Sequence, residues 1–328
     1  MCIVAAADNK YAQHVAVTFA SILENNRGDV PKFYLIGDEL TTENKNWILE
    51  TVKPFGATIE YVKADVDLYE NARVSRHITR AAYLKVFIAK LLPLEIEKAI
   101  YLDCDVVVEE DISDLWHIDI SECHLGAVLD INMTDRLSVL IGEVGLPYFN
   151  SGVMFLNLRK WREDNTVEAV LKFIEENHER LLYHDQDALN AILHNKWLHM
   201  DAKWNVQTSM LFIKQKNECA NYINLQNALK KPFVIHYTGR GKPWNYISIH
   251  PFRNNYYRYL QLTPWRWFRP RLTLRNLLDG CGLIVKKISP LLLMALRRIL
   301  IKRALDGSPL CSRICNIFHI ELHVESKH

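Results

Sequence analysis

The stretch KAIYLDCDVVVEED, residues 98–111, decides how the rest of the chain is read. An apolar run, 99–102, ends in Asp103, Cys104 and Asp105, and a second apolar run, 106–108, follows at once. If the backbone stays extended through the acids, side chains at i and i+2 share a face, with α-carbons roughly 6 to 7 Å apart at about 3.3 Å per residue. Two carboxylates that close repel unless a cation lies between them, and a buried acid is normally paired or bound to metal because an isolated buried charge is so costly. Carboxylate oxygens suit hard Mg²⁺ or Mn²⁺ better than copper or a structural zinc. A strand end with both acids in solvent accounts for the same residues, and other parts of the chain must decide between the two readings.

Working outward, short apolar runs at residues 2–7, 32–36 and 58–62 read as strands, and 15–23, 42–52 and 80–92 as helices between them. Strands alternating with helices imply parallel crossovers and an α/β sheet covered on both faces. Ligands in such sheets gather at the carboxyl ends of strands, which places Asp8, after the first strand, near Asp103 and Asp105. Past residue 111 the alternation loosens. Residues 125–129 and 148–156 read as strands, 167–177 and 187–193 as helices, and 233–236 as a last strand delivering His236 to a glycine-rich loop at 238–242. No internal repeat or low-complexity linker interrupts residues 1–262, so these are expected to form one catalytic domain.

Residues 263–328 are a different electrostatic object. Positions 264–303 carry seven Arg and three Lys against Asp279 alone, so within a whole-chain charge of +2 the remainder is net −7. Trp265, Trp267 and Phe268 stand among Arg266, Arg269, Arg271 and Arg275, and the apolar tract at 290–296 is cut off by Arg297 and Arg298. That tract is too short and too charged to span a bilayer. Cations, aromatics and apolar runs together suit an anionic membrane surface, or else a packed helical subdomain with a solvated basic face. No nucleic-acid-binding module accompanies the charge, so nucleic acid is not an expected partner. Seven cysteines without regular spacing, behind an N-terminus that lacks signal-peptide architecture, suggest a reduced, cytosolic chain. Cys311 and Cys315 lack the companions a zinc site needs.

Phosphate-binding signatures GxGxxG and GxxxxGK[ST] are absent, which removes dinucleotide dehydrogenases and P-loop enzymes. A nucleotide could still bind through metal, since Mg²⁺ and Mn²⁺ commonly join carboxylates to phosphate oxygens. Asp8, Asn9 and Tyr11 offer a carboxylate, an amide and a ring for a base, although taken alone they are better explained by helix capping by Asp8 and a surface tyrosine. Lys85 could reach a phosphate or be a solvated helix charge. HYTGRGKPW, residues 236–244, is denser in meaning: an imidazole, two glycines that let backbone approach a phosphate, and the mobile charge of Lys242. Between these lie FNSG at 149–152, whose Asn150 and Ser151 could bond sugar hydroxyls, and YHDQDALN at 183–190. N-capping accounts for one or two of Asp185, Gln186 and Asp187; three consecutive polar groups exceed what a cap requires.

Taken together, AADNKY at 6–11, YLDCD at 101–105, FNSGVMFLNLRKWR at 149–162, DQDALN at 185–190 and HYTGRGKPW at 236–244 resemble glycosyltransferase family 8 in order and spacing. The resemblance is strongest to bacterial lipopolysaccharide and lipo-oligosaccharide galactosyl- and glucosyltransferases, and covers residues 1–262. It implies a GT-A fold, a UDP-hexose donor, Mn²⁺ (with Mg²⁺ as the substitute), retention of anomeric configuration and a saccharide or lipid-linked saccharide acceptor. With the basic, aromatic composition of the tail, which lies beyond the resemblance, the expectation is an enzyme peripheral to the cytoplasmic face of the inner membrane. By position, Asp103, Asp105 and His236 match the metal ligands. Ala6, Asp8, Asn9 and Tyr11 match the base-binding segment, Cys104 sits between the metal acids, and Gly239 and Lys242 match phosphate contacts. Asn150, Ser151, Asp185 and Gln186 match positions around the donor sugar. Lys85 stands where many members carry Arg, which keeps the charge without the bidentate fork. Asn9 is one residue closer to Asp8 than in some relatives.

Retention ordinarily calls for a carboxylate nucleophile. Gln186, matched to the residue nearest the anomeric carbon, is a poor one, so the expectation is same-face substitution with Asp185 orienting the sugar. Two competing readings remain. IYLDCDVV also resembles the nucleophile motif of haloacid-dehalogenase-type phosphatases, whose later acid pair is missing here. A UDP-sugar binding protein without turnover would need most of the same residues.

Overall fold

The computed structural model describes residues 1–270 apart from 27, 29, 38–39, 64–82, 134, 214–221 and 247. The described part forms a compact unit of residues 1–244 and 249–269. Its first half alternates as the sequence predicts: β1 (Cys2–Ala6), α1 (Ala12–Asn25), β2 (Lys32–Ile36), α2 (Thr42–Val52) and β3 (Thr58–Val62). The helix expected over 80–92 is, from residue 84, a 3₁₀ turn followed by the single turn α3 (Ile88–Leu91); its start lies outside the described residues. Next come β4 (Lys98–Leu102), β5 (Val106–Val108), α4 (Ser113–Trp116), β6 (Leu125–Leu129), α5 (Arg136–Ile141) and β7 (Phe149–Asn157). The chain continues through α6 (Leu158–Glu163), α7 (Thr166–Asn177), α8 (His184–Leu193), β8 (Trp197–His199), β9 (Val206–Gln207), α9 (Tyr222–Lys230), β10 (Val234–His236) and α10 (Arg253–Leu260).

Among the described residues the large sheet runs β3-β2-β1-β4-β7-β6-β8 and a small one β5-β10-β9. Alternate residues of β1, β2 and β4 fall on opposite faces. Val4, Tyr34 and Tyr101 pack into one core, and Ile3, Phe33 and Ile100 into the other, as a sheet covered on both sides requires. Parallel pairing holds from β3 to β4 and between β6 and β8, but β7 runs antiparallel to both β4 and β6. The sheet is therefore mixed, a departure from the parallel expectation. All nine residues of β7 are buried, so its apolar pattern carries no sign of strand direction.

The acids of the opening stretch lie in a turn rather than in an extended strand. β4 leaves the large sheet after Leu102, the Asp103 N–H bonds the Gly152 carbonyl (2.8 Å), and the chain re-enters extended structure at Val106 in the small sheet. Helix α1 fills the angle between the sheets. Its polar residues Thr18, Ser21 and Asn25 satisfy the backbone of β5: Thr18 Oγ1 donates to the Val106 carbonyl (2.7 Å), Val108 N–H to Ser21 Oγ (2.9 Å), and Asn25 Nδ2 to the Val108 carbonyl (2.9 Å). Buried backbone groups left unpaired would each be costly, so this stripe fixes where β5, and hence Asp105, must lie.

Past Leu262 the unit continues through a 3₁₀ turn, Pro264–Trp267, where the Trp265 ring packs edge-on against Trp47 of α2 at 5.0 Å. The rest of the basic tail, 271–328, lies outside the described residues. Among those described, no helix is long and apolar enough to cross a membrane.

Candidate active site

The carboxyl ends of β1 and β4 open on a cleft of about 370 Å³. β1 contributes Ala6 and the following Asp8, β4 and its turn contribute Asp103, Cys104 and Asp105, and the start of α8 contributes Asp185. Tyr11 and Lys85 complete the expected lining, joined by Tyr101, which the sequence reading did not single out. Asp8 Oδ1 accepts from the N–H groups of Lys10 (2.9 Å) and Tyr11 (3.0 Å), closing the turn that brings the half-exposed Tyr11 ring to the cleft wall. Asn9 points elsewhere. Its Oδ1 accepts from the Thr41 N–H (2.8 Å) and Asn44 Nδ2 (2.9 Å) at the start of α2, so it does not line the cleft as the base-binding expectation required. Cys104 is a buried thiol donating to the Ala6 carbonyl (2.9 Å), a tie between the two strand ends. Burial, reinforced by the flanking acids, pushes its pKa well above that of a free thiol.

His236 reaches the acids through strand pairing. β10 lies antiparallel to β5 with His236 opposite Val106, the neighbour of Asp105. Its Nε2 is 3.3 Å from Asp105 Oδ1 and 3.9 Å from Asp103 Oδ2, and one ligand atom from each of the three residues lies within 4.8 Å of the others. Two carboxylates and an imidazole in this arrangement fit a divalent cation of the Mn²⁺ or Mg²⁺ kind. Each acid divides its oxygens. Asp103 Oδ1 accepts from Tyr101 OH (2.7 Å) and Lys85 Nζ (3.0 Å), while Oδ2 faces His236. Asp105 Oδ2 holds Lys242, while Oδ1 faces His236. Burial opposes charge on Asp105, but Lys242 and His236 outweigh it and hold the carboxyl below the usual range. Gly152 packs directly under the set, with no room for a side chain: a Cβ there would lie 2.8 Å from Asp103 Oδ2.

On the other side of Asp103, Lys85 is 5% exposed and bridges Asp103 Oδ1 to Asp185 Oδ2 at 3.0 and 3.1 Å. Burial opposes its charge, but the two acids outweigh that and raise its pKa. Asp185 is shifted upward by burial, against the opposing pull of Lys85, and also accepts from Ser151 Oγ (3.2 Å). Gln186 is held at both ends, its Oε1 accepting from the Ser151 N–H (3.0 Å) and its Nε2 donating to Asp130 (3.1 Å). Asn150 is turned inward: Oδ1 accepts from the Gly152 N–H (3.0 Å) and Asn205 Nδ2 (2.9 Å), and Nδ2 faces Asp130 at 3.4 Å. Asp187 anchors the start of α8, accepting from Arg136 Nε (3.0 Å), Tyr148 OH (2.7 Å) and the N–H groups of Leu182 and Tyr183. Asp187 thus holds the turn ahead of α8 rather than capping its first N–H groups, while Asp185 and Gln186 bond to Ser151.

The 236–244 loop is tied to the wall that carries Tyr11. Gly239 adopts φ +74°, a left-handed conformation that glycine takes without strain. Trp244 stacks on His14 at 3.6 Å and 18°, and Tyr11 meets the same imidazole edge-on at 5.4 Å. His14 Nδ1 lies 2.8 Å from Tyr256 OH on α10, and burial pushes the pKa of this ring down to about 3. His14, Asn205 and Tyr101 were not legible as site residues, because what recruits them is strand register and helix packing rather than any local motif.

A sequence model described as Glycosyl transferase family 8 matches residues 2–248. The chain is 39% identical over 271 residues to General stress protein A of Bacillus subtilis, covering 81% of this chain and 94% of that protein. It is 30% identical over 272 residues to lipopolysaccharide 1,2-glucosyltransferase of Escherichia coli K12, covering 80% and 78%. Among solved structures, galactosyltransferase LgtC in complex with donor and acceptor sugar analogues superposes with a TM-score of 0.71 at 21% identity, over 84% of this chain and 98% of that one. The α/β fold is thus the GT-A fold expected from the motifs.

Proposed function

The chain belongs to glycosyltransferase family 8, and we propose that it transfers a hexose, galactose or glucose, from a UDP-sugar to a saccharide acceptor with retention of configuration. The observation that carries this reading is the convergence of Asp103, Asp105 and His236 beside a cleft walled by Asp8, Tyr11 and Lys85. When bound, Mn²⁺ would supply Lewis-acid stabilisation of the diphosphate. The chain's own residues do the rest. Tyr11 presents a ring face for the base, and Lys242 brings a cation to the phosphate side, where charge develops on the departing UDP. Lys85 and Ser151 fix Asp185 so that it can orient the sugar. Gln186, with its oxygen engaged by Ser151, is not presented as a free nucleophile. Both features favour same-face substitution through a short-lived ion pair over a covalent glycosyl-enzyme; trapping a glycosyl adduct on Asp185 would overturn that preference.

The lipopolysaccharide pathway is supported by the name of the Escherichia coli relative, and the acceptor is expected to contact residues 130–147 and 207–229, of which 134 and 214–221 lie outside the described residues. A cytoplasmic enzyme peripheral to the inner membrane fits the basic composition of the tail. Since Trp265 packs on the folded unit, the variant that tests membrane attachment ends after Arg269. Loss of sedimentation with anionic vesicles supports the attachment, and unchanged sedimentation refutes it. The catalytic proposal is tested by screening UDP-hexoses for UDP release with and without Mn²⁺. Release dependent on both a UDP-hexose and the metal is expected. Tight nucleotide binding with no release, with or without acceptor saccharides, would point instead to a binding protein.

A further inference from the structure

The family reading supplies three metal-facing side chains but leaves open which nitrogen of His236 is kept for the cation. An imidazole carries its neutral-state hydrogen on one nitrogen, and whichever nitrogen is protonated cannot ligate. A chain of hydrogen bonds running from the backbone of β7 settles the choice.

The chain starts at the Gly152 N–H, which lies 3.0 Å from a side-chain atom of Asn150. A backbone N–H can only donate, so that atom is the amide oxygen. The same oxygen is 2.9 Å from the side chain of Asn205, and the Asn205 atom facing it must therefore be the donor, Nδ2. Asn205 then turns its own oxygen to His236, 3.0 Å from Nδ1. An amide oxygen only accepts, so Nδ1 carries a hydrogen, and Nε2, 3.3 Å from Asp105 Oδ1, is the nitrogen left to ligate. Every member is buried: Asn205 is 0%, His236 4% and Asn150 6% exposed, so bulk water does not compete for these bonds. The direction of each amide follows from the one group in the chain whose polarity is fixed by covalent structure.

We propose that Asn205 is a positioning residue that sets the tautomer of His236, holding its Nδ1–H so that Nε2 faces Asp103 and Asp105 ready to bind a divalent cation. The proposal rests on the reading of Asp103, Asp105 and His236 as a metal set and adds to it the residue that orients the third ligand. Outer partners of this kind typically change metal affinity by about 10- to 100-fold when removed.

Two measurements on the full chain test it. In the metal-free protein labelled with ¹⁵N-histidine, long-range proton–nitrogen correlation at pH 8.5 reads which nitrogen of His236 bears hydrogen, with His236→Gln used only to assign the signal. Hydrogen on Nδ1 is the expected result, and an Nδ1 without hydrogen overturns the proposal. In the second, free Mn²⁺ is followed by electron paramagnetic resonance during titration of the unmodified chain and Asn205→Leu. The variant should bind about 10- to 100-fold more weakly. If Asn205→Leu does not fold, the tautomer of the unmodified chain decides alone. The two levels fail separately. An unmodified chain that takes up no Mn²⁺ contradicts the metal reading itself. Tight Mn²⁺ binding by both chains, or an Nδ1 without hydrogen, sinks the role of Asn205 and leaves the metal reading standing.

Discussion

Replacing Gly152 by alanine adds one methyl group under the metal set, and its effect can be worked from the structure. The new Cβ would lie 2.8 Å from Asp103 Oδ2 and 2.9 Å from His236 Nδ1, and would overlap the His236 ring at Cε1, where ordinary contact begins at 3.4 Å. Asp103 Oδ2 would thus have to withdraw by about 0.6 Å, roughly three times the 0.2 Å within which ligand distances at a metal site are usually held. Neither side chain moves freely, since Asp103 is tied to Tyr101 and Lys85 and His236 to Asn205. The expected result is a loss of Mn²⁺ affinity of at least about 100-fold, or about 2.7 kcal/mol. The accompanying overpacking should lower stability by about 1–3 kcal/mol. Titration of free Mn²⁺ by electron paramagnetic resonance reads the first, and urea unfolding the second. A folded Gly152→Ala protein that binds Mn²⁺ as tightly as the unmodified chain would refute the placement of Asp103 and His236 as joint ligands.

Three further outcomes follow from the same geometry. Asp187→Asn removes the charge that Arg136, Tyr148 and two backbone N–H groups surround, and should cost about 3–5 kcal/mol in chemical denaturation; a loss under about 1 kcal/mol would contradict its anchoring role. Lys85→Met leaves Asp103 and Asp185 without their shared cation and should destabilise by a similar amount. Adding Asp185→Asn should recover part of that loss, and strictly additive effects in the cycle would argue against the shared pairing. His14, whose pKa burial lowers from 6.5 to about 3, is bound by a proton more readily in the unfolded chain between those values. Its contribution to stability is therefore complete above pH 6.5 and declines as pH falls, by up to about 1.4 kcal/mol per unit. Urea midpoints from pH 7 to 4 should fall less steeply for His14→Asn than for the unmodified chain; parallel curves would remove His14 as the cause.

Much of the site could be read from the sequence because its motifs sit where strands end. The apolar runs flanking Asp103 and Asp105 mark the ends of two strands, and the HYTGRGKPW segment marks a third, so the resemblance brought His236 to the acids before any geometry was known. What the sequence misjudged or left open depends on pairing across long separations. Whether the strand continues through the acids was left conditional on the sequence, and the chain turns there, because β5 belongs to the small sheet that also holds β10. The direction of β7 was invisible, since a fully buried strand has the same pattern either way. Asn9 follows Asp8 in sequence but is drawn off to cap α2. Asn205 had no motif to mark it; it matters only because β9 lies beside β10 and carries it to His236.

The most direct test of the central claim is Mn²⁺-dependent UDP release from a UDP-hexose in the presence of acceptor saccharides, compared between the unmodified chain and Asp105→Asn. The account predicts release by the unmodified chain that requires the metal, and its near-complete loss in the variant together with Mn²⁺ binding. Metal-dependent release that survives Asp105→Asn unchanged would contradict it.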